Sequence, residues 1–126
     1  MGVERRKYVR FLAQDNTFAA LRIGFKKVGK IDDISINGLA FSYLSETVGA
    51  GSDRHLTQVD IFTSGNNFHL PNVPCKIVYD IQDTTSGKYT GLMTCRCGLK
   101  FNEPTKSQSE QLELFIKNYT TEILSS

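Results

Sequence analysis

The sequence predicts an all-β fold: a six-stranded antiparallel (split) β-barrel with a C-terminal α-helix. Three observations carry that prediction. Apolar and polar residues alternate at period two along most of the chain. Short clusters of turn-forming residues separate the alternating runs. Helical spacing of apolar residues appears only near the end, so one helix follows many strands.

The elements follow in order. Residues 1–16 are polar and basic with few apolar anchors, and read as a flexible N-terminal arm. Ala19, Leu21, Ile23 and Phe25 then alternate with Phe18, Ala20, Arg22 and Gly24, a strand with one core face. A second strand is expected from Lys26 to Ser35, interrupted at Gly29, and a third from Leu39 to Leu44. Ser45 to Arg54, with Gly49 and Gly51, reads as a loop. Leu56 to Phe62 is the next strand, followed by a turn at Ser64-Gly65-Asn66-Asn67.

The cleanest alternation places Val73, Cys75, Ile77, Tyr79 and Ile81 on one face. Thr84-Thr85-Ser86-Gly87 suits a hairpin turn, and the return strand repeats the pattern from Tyr89 and Gly91 through Met93, Cys95, Cys97, Leu99 and Phe101. Five or six antiparallel strands with short connections favour a barrel, because closure removes exposed edges. The barrel is expected over 17–104 and the helix over 105–126, within a single domain. Ser107-x-x-Glu110 fits a capping box, and Leu112, Phe115, Ile116, Tyr119 and Ile123 form the helix's apolar stripe.

With 126 residues, 40% hydrophobic and 22% charged, the chain suits one ordinary globular domain. The net charge of +2 is too small for a protein that coats nucleic acid. Its distribution matters more: four of fifteen Lys and Arg residues fall in Arg5-Arg6-Lys7-Tyr8-Val9-Arg10, so an anionic partner belongs there. No apolar run nears the roughly 18 residues of a membrane span, so no membrane role is expected. No signal segment is seen, and three cysteines suit a reducing compartment; the expected location is cytoplasmic.

Two segments carry candidate chemistry. Arg6-x-x-x-Arg10 supplies two guanidinium forks, which pair bidentately with phosphate oxygens or with the O6/N7 edge of guanine. Asp33 and Ser35 are two residues apart, so both project from one face of an extended segment. Gly38 follows, where backbone must turn or let a ligand approach closely. A carboxylate accepts from guanine N1–H and the N2 amino group, which arginine cannot do. Cations for one edge or the phosphates, and an acceptor for the other edge, together describe a guanine-nucleotide site.

Arg6-x-x-x-Arg10 followed by Asp33-x-Ser35-x-x-Gly38 resembles the two-part signature of PilZ domains, RxxxR and then [DN]xSxxG. The 22-residue gap leaves room for a first strand and much of a second. Cys97-Gly98-Leu99-Lys100-Phe101 and the terminal helix also look like the end of such domains, so the resemblance covers nearly the whole chain. It implies a receptor that binds cyclic di-GMP on the outer barrel surface. Carried over by motif, Arg6 and Arg10 grip guanine and phosphate, Asp33 and Ser35 make polar contacts, and Gly38 is the close-approach position. By the same analogy Arg5 helps to hold a second, stacked ligand molecule. Ligand ordering of the arm would signal to a protein partner in motility, adhesion or exopolysaccharide machinery.

Other readings compete with this one. Cys95-x-Cys97 with Cys75 is too closely spaced for a zinc knuckle and shares the face of Met93 and Leu99, which favours core packing. His55 and His69 read as surface residues. No nucleophile–base pattern, phosphate loop or dinucleotide fingerprint occurs, so neither catalysis nor a cofactor or metal is expected. One alternative is a single-stranded nucleic-acid binder that stacks bases on Tyr8, Phe11 and Phe18; Asp32-Asp33 would repel its phosphates. The other is a ligand-free protein adaptor of the same fold, against which the intact motif residues speak.

Overall fold

The computed structural model describes residues 9–22, 27–45, 56–65, 67–82 and 93–124. Its strands are β1 (Phe11–Ala13), β2 (Thr17–Arg22), β3 (Lys27–Ser35), β4 (Gly38–Ser45), β5 (Leu56–Thr63), β6 (His69–Gln82) and β7 (Met93–Phe101). Helix α1 (Lys106–Tyr119) and a short strand β8 (Thr120–Ile123) complete the order. The sheet runs β2-β5-β6-β7-β4-β3, every pair antiparallel, and a β2–β3 pairing closes it into a six-stranded barrel. The barrel is split. β2 pairs with the start of β3, up to Lys30, whereas β1 pairs with its end, Phe11 opposite Ile34 and Leu12 opposite Asp33. β8 lies on the far side of β1.

The barrel interior holds Leu21, Ile31, Ile34, Phe41, Val59, Ile61, Val73, Cys75 and Cys97, all fully or almost fully buried. Leu112 and Phe115 of α1 join them, and Phe115 packs on Phe68 and Tyr119 with ring centroids 5.2 and 5.4 Å apart.

Several expectations need adjusting. The last part of the arm is not free: residues 11–13 form β1, and the rest of the arm up to Tyr8 lies outside the described residues. β2 is described only to Arg22, β3 continues through Gly29, and the loop at 46–55 and hairpin turn at 84–87 lie outside the described residues. The helix cap is shifted. Thr105, not Ser107, is the N-cap, and its oxygen accepts from the Gln108 amide while the Gln108 side chain accepts from the Thr105 amide. Ser107 and Glu110 instead lie within the helix. Ile123 leaves the helical stripe for β8, where it is 63% exposed.

Two β-bulges decide what faces outward. In β3, Ile31 opposes Phe41 and Asp33 opposes Ala40, so Asp32 is an extra residue. Ile31 and Ile34 therefore both point into the core, while Asp33 and Ser35 share the outer face. In β6, Ile77 opposes Leu99 and Tyr79 opposes Gly98, so Val78 is extra. Val73, Cys75 and Ile77 face inward as expected, but Tyr79 and Ile81 do not follow them; Ile81 is 57% exposed. Asp80 takes the inward position, paired with Lys27 at 2.5 Å and accepting from the Tyr43 hydroxyl at 2.7 Å.

Candidate ligand-binding site

The two bulges flank the middle strands of the sheet, and the outer face between them is the site. A groove of about 230 Å³ runs from Arg10, Asp33 and Ser35 across Gly38 and Ala40 to Gly98 and Tyr79. Its floor is low because the floor residues are small. A Cβ on Gly98 would run into the Tyr79 ring, so the glycine lets that ring lie flat on β7. Gly38 has a different constraint: a Cβ there would meet the Leu99 carbonyl oxygen of the neighbouring strand. Close approach is required at Gly38 as the motif suggests, but the backbone of β7 already demands it. The volume lies below the roughly 300–1,000 Å³ of pockets that enclose a ligand, so this is an open surface groove.

Asp33 is the centre of the electrostatics. It is only 4% exposed, yet it faces the groove. Arg10 Nε donates to Asp33 Oδ1 at 2.9 Å, and Arg10 Nη2 contacts the same oxygen. Asp33 Oδ2 accepts from Arg96 Nη2 at 3.0 Å. The bulge also brings Asp32 alongside, 3.9 Å from Arg96 Nε, and the Ser42 hydroxyl donates to Asp32 at 2.6 Å. Two adjacent carboxylates on one surface repel each other, and the two arginines offset that repulsion. Partial burial alone would lower the Arg96 pKa; hydrogen bonding with Tyr79 and the charges of Asp32 and Asp33 raise it instead.

Ser35 closes the β3–β4 hairpin. Its hydroxyl oxygen accepts from the Asn37 amide at 3.0 Å and donates weakly to the Gly38 carbonyl at 3.5 Å. That is a local turn bond, and it leaves Ser35 lining the groove.

The structure thus brings Arg10, Asp33, Ser35 and Gly38 together, while Arg5 and Arg6 lie outside the described residues. Sequence reasoning missed Tyr79 and Lys100, which line the groove, and Arg96, which meets Asp33 from beside it. Arg96 and Lys100 alternate with the core positions Cys95, Cys97, Leu99 and Phe101, which is an outward signal. Tyr79 gave no such signal, because the bulge inverts its side. The cysteines are not part of the site. All three are buried in the core, and burial pushes the Cys75 and Cys97 thiols up to about 12. Among the aromatics named for base stacking, Phe18 is half-buried and stacks on Phe62, and Phe11 sits in β1.

A closed antiparallel barrel with an arginine from its N-terminal segment paired to a motif aspartate on its outer wall defines a class of small barrel domains with a groove on the outer surface. The chain belongs to the PilZ domain family, which it matches over residues 4–118. It is similar in fold to the PilZ domain of YcgR from Escherichia coli solved with c-di-GMP: TM-score 0.71, 15% identity, 92% of each chain covered. It is also similar to the MrkH–c-di-GMP complex of K. pneumoniae, with TM-score 0.70, 15% identity, and 92% of this chain and 52% of that one covered. The Bacillus subtilis inhibitor of motility MotI/DgrA gives TM-score 0.64 at 16% identity, with coverage of 91% and 51%. The chain therefore spans about half the length of the last two. Comparison with curated proteins finds no match.

Proposed function

We propose that this chain is a cyclic di-GMP receptor domain that signals to a protein partner and catalyses nothing itself. The observation that carries this reading is the carboxylate of Asp33, turned outward by the β3 bulge into a small-residue groove and held against Arg10. An outward acceptor suits guanine N1–H and the N2 amino group, and arginine suits phosphate or the O6/N7 edge. Membership of the PilZ family and the c-di-GMP complexes of YcgR and MrkH support the choice of ligand.

In this mechanism Arg10 exchanges Asp33 for the ligand. Arg6 joins it from the arm, Ser35 adds a polar contact, and Arg5 helps to hold a second ligand molecule. Because β1 is paired with β8, a change in the arm reaches the strand that follows α1: the Leu124 amide donates to the Arg10 carbonyl at 2.9 Å. A protein partner in motility, adhesion or exopolysaccharide machinery reads that change, in the cytoplasm. Among the described residues no helix is long and apolar enough to cross a membrane.

Calorimetric titration with cyclic di-GMP tests the reading, with GTP and cyclic di-AMP as controls. Saturable heat with cyclic di-GMP alone is the expected result. Absence of both heat and thermal shift at tens of micromolar ligand overturns it.

A further inference from the structure

We infer that Arg96 is the fixed counter-ion of the site, a positioning residue that holds Asp33 Oδ2 and keeps the carboxylate aimed when the ligand draws Arg10 away. The inference rests on the cyclic di-GMP reading and adds a residue outside the two signature motifs.

The two arginines on Asp33 are anchored very differently. Arg10 immediately precedes β1, a three-residue strand outside the closed barrel, and is continuous with the N-terminal arm. Both of its contacts go to one oxygen, Oδ1. Arg96 sits within β7, paired with Ser42 on one side and Ile81 on the other, so its backbone moves only if the barrel opens. Its guanidinium donates to Asp33 Oδ2 and lies 3.9 Å from Asp32. Asp32 is itself pinned by Ser42.

The division of the carboxylate follows from this geometry. Departure of Arg10 frees the whole of Oδ1 as an acceptor and leaves Oδ2 paired. Without Arg96 that departure would leave Asp32 and Asp33 side by side, with Asp33 almost buried and uncompensated, a costly arrangement. Asp33 would then retain Arg10 on Oδ1. An Oδ1 still occupied by Arg10 is not free to accept from guanine N1–H, the contact that distinguishes guanine from adenine, which offers an acceptor at N1.

Two measurements on the full chain test this. In the first, the Nε–Hε NMR signals of Arg10 and Arg96 are followed as cyclic di-GMP is added. The Arg10 signal should move and that of Arg96 should hold its position; an Arg96 signal that moves as far as Arg10's overturns the inference. In the second, Arg96→Gln should weaken cyclic di-GMP binding by about tenfold or more and narrow the preference over cyclic di-AMP. Arg96→Lys should recover part of both, because one ammonium serves one carboxylate but does not fork across two. A purely structural role would lower the melting temperature of Arg96→Gln and leave the preference ratio intact. Wild-type affinity and preference in Arg96→Gln overturn the inference while the receptor reading stands. A wild-type chain that takes up no cyclic di-GMP overturns both.

Discussion

Asp60 on β5 and Asp33 on β3 each hold an arginine against the outside of the barrel, and both are nearly buried. Their other partners differ. Asp60 receives Arg22 through Nε at 3.2 Å to both oxygens and through Nη2 at 2.7 Å to Oδ2. It also accepts the Asn72 backbone amide at 2.9 Å. That amide is fixed by a bulge: Val59 opposes Val73 and Ile61 opposes Leu70, so Pro71 and Asn72 together face Asp60. Asn72 takes a left-handed φ of 60°, which asparagine tolerates. Among the described residues, Asp33 has arginine side chains as its partners and no backbone amide. A carboxylate tied to the backbone is a staple. One tied only to side chains from different elements can exchange them, and the difference separates structure from function in two otherwise similar pairs.

The largest expected effect lies on the exchangeable pair. Arg10→Ala should weaken cyclic di-GMP binding by about 1.5–3 kcal/mol, the range for a charged hydrogen-bonding group, measured by calorimetry. The loss grows if the whole arm disengages. Thermal stability should change little, because Arg10 is 33% exposed and Arg96 remains on Asp33. A variant that binds normally but melts early would make Asp33 a staple like Asp60.

Asp60→Asn should show the opposite pattern. It leaves the Asn72 amide with a weaker acceptor and removes the carboxylate, at a cost of about 1–3 kcal/mol in denaturant unfolding. Cyclic di-GMP affinity should stay within about twofold, since no Asp60 atom lines the groove. Loss of binding without loss of stability would break the comparison.

The same contrast has a pH signature. Burial alone would raise the Asp60 pKa, but the hydrogen bond from Arg22, the Asn72 amide and the Arg22 charge hold it below the usual value. A depressed folded-state value means that Asp60 stabilises the fold fully above the unfolded value of about 4. That contribution is lost as pH falls through the folded value. Urea midpoints measured from pH 6 down to pH 2.5 should therefore fall further for wild type than for Asp60→Asn. Parallel curves would show that Asp60 carries no linked proton.

Much of this molecule could be read from sequence, and the failures share a cause. The β7 alternation and the facing of Asp33 with Ser35 follow from period two alone. The outward turn of Tyr79 does not, because a bulge inserts one residue and inverts every position after it. The β7 alternation puts Arg96 on an outer face, a signal the sequence reading did not use, and its meeting with Asp33 depends on strand order, with β7 beside β4 and β4 beside β3. Spacing along a chain carries no information about which strands become neighbours. The signature motifs were legible because they are local; the counter-ion is not.

The helix cap supplies the smallest test, and it touches the staple rather than the site. The Gln108 side chain closes the capping box with Thr105 and also donates to the Asn72 carbonyl at 3.0 Å. Asn72 thus links α1 to the Asp60 cluster through its two backbone groups. Thr105→Ala should cost about 1 kcal/mol, the usual loss for an N-cap oxygen, with ligand affinity unchanged. Ser107→Ala should be close to neutral, because Ser107 lies inside the helix. If Thr105→Ala weakened cyclic di-GMP binding instead, the cap and the groove would be coupled. The division between a fixed Asp60 region and an exchangeable Asp33 region would then have to be redrawn to include α1.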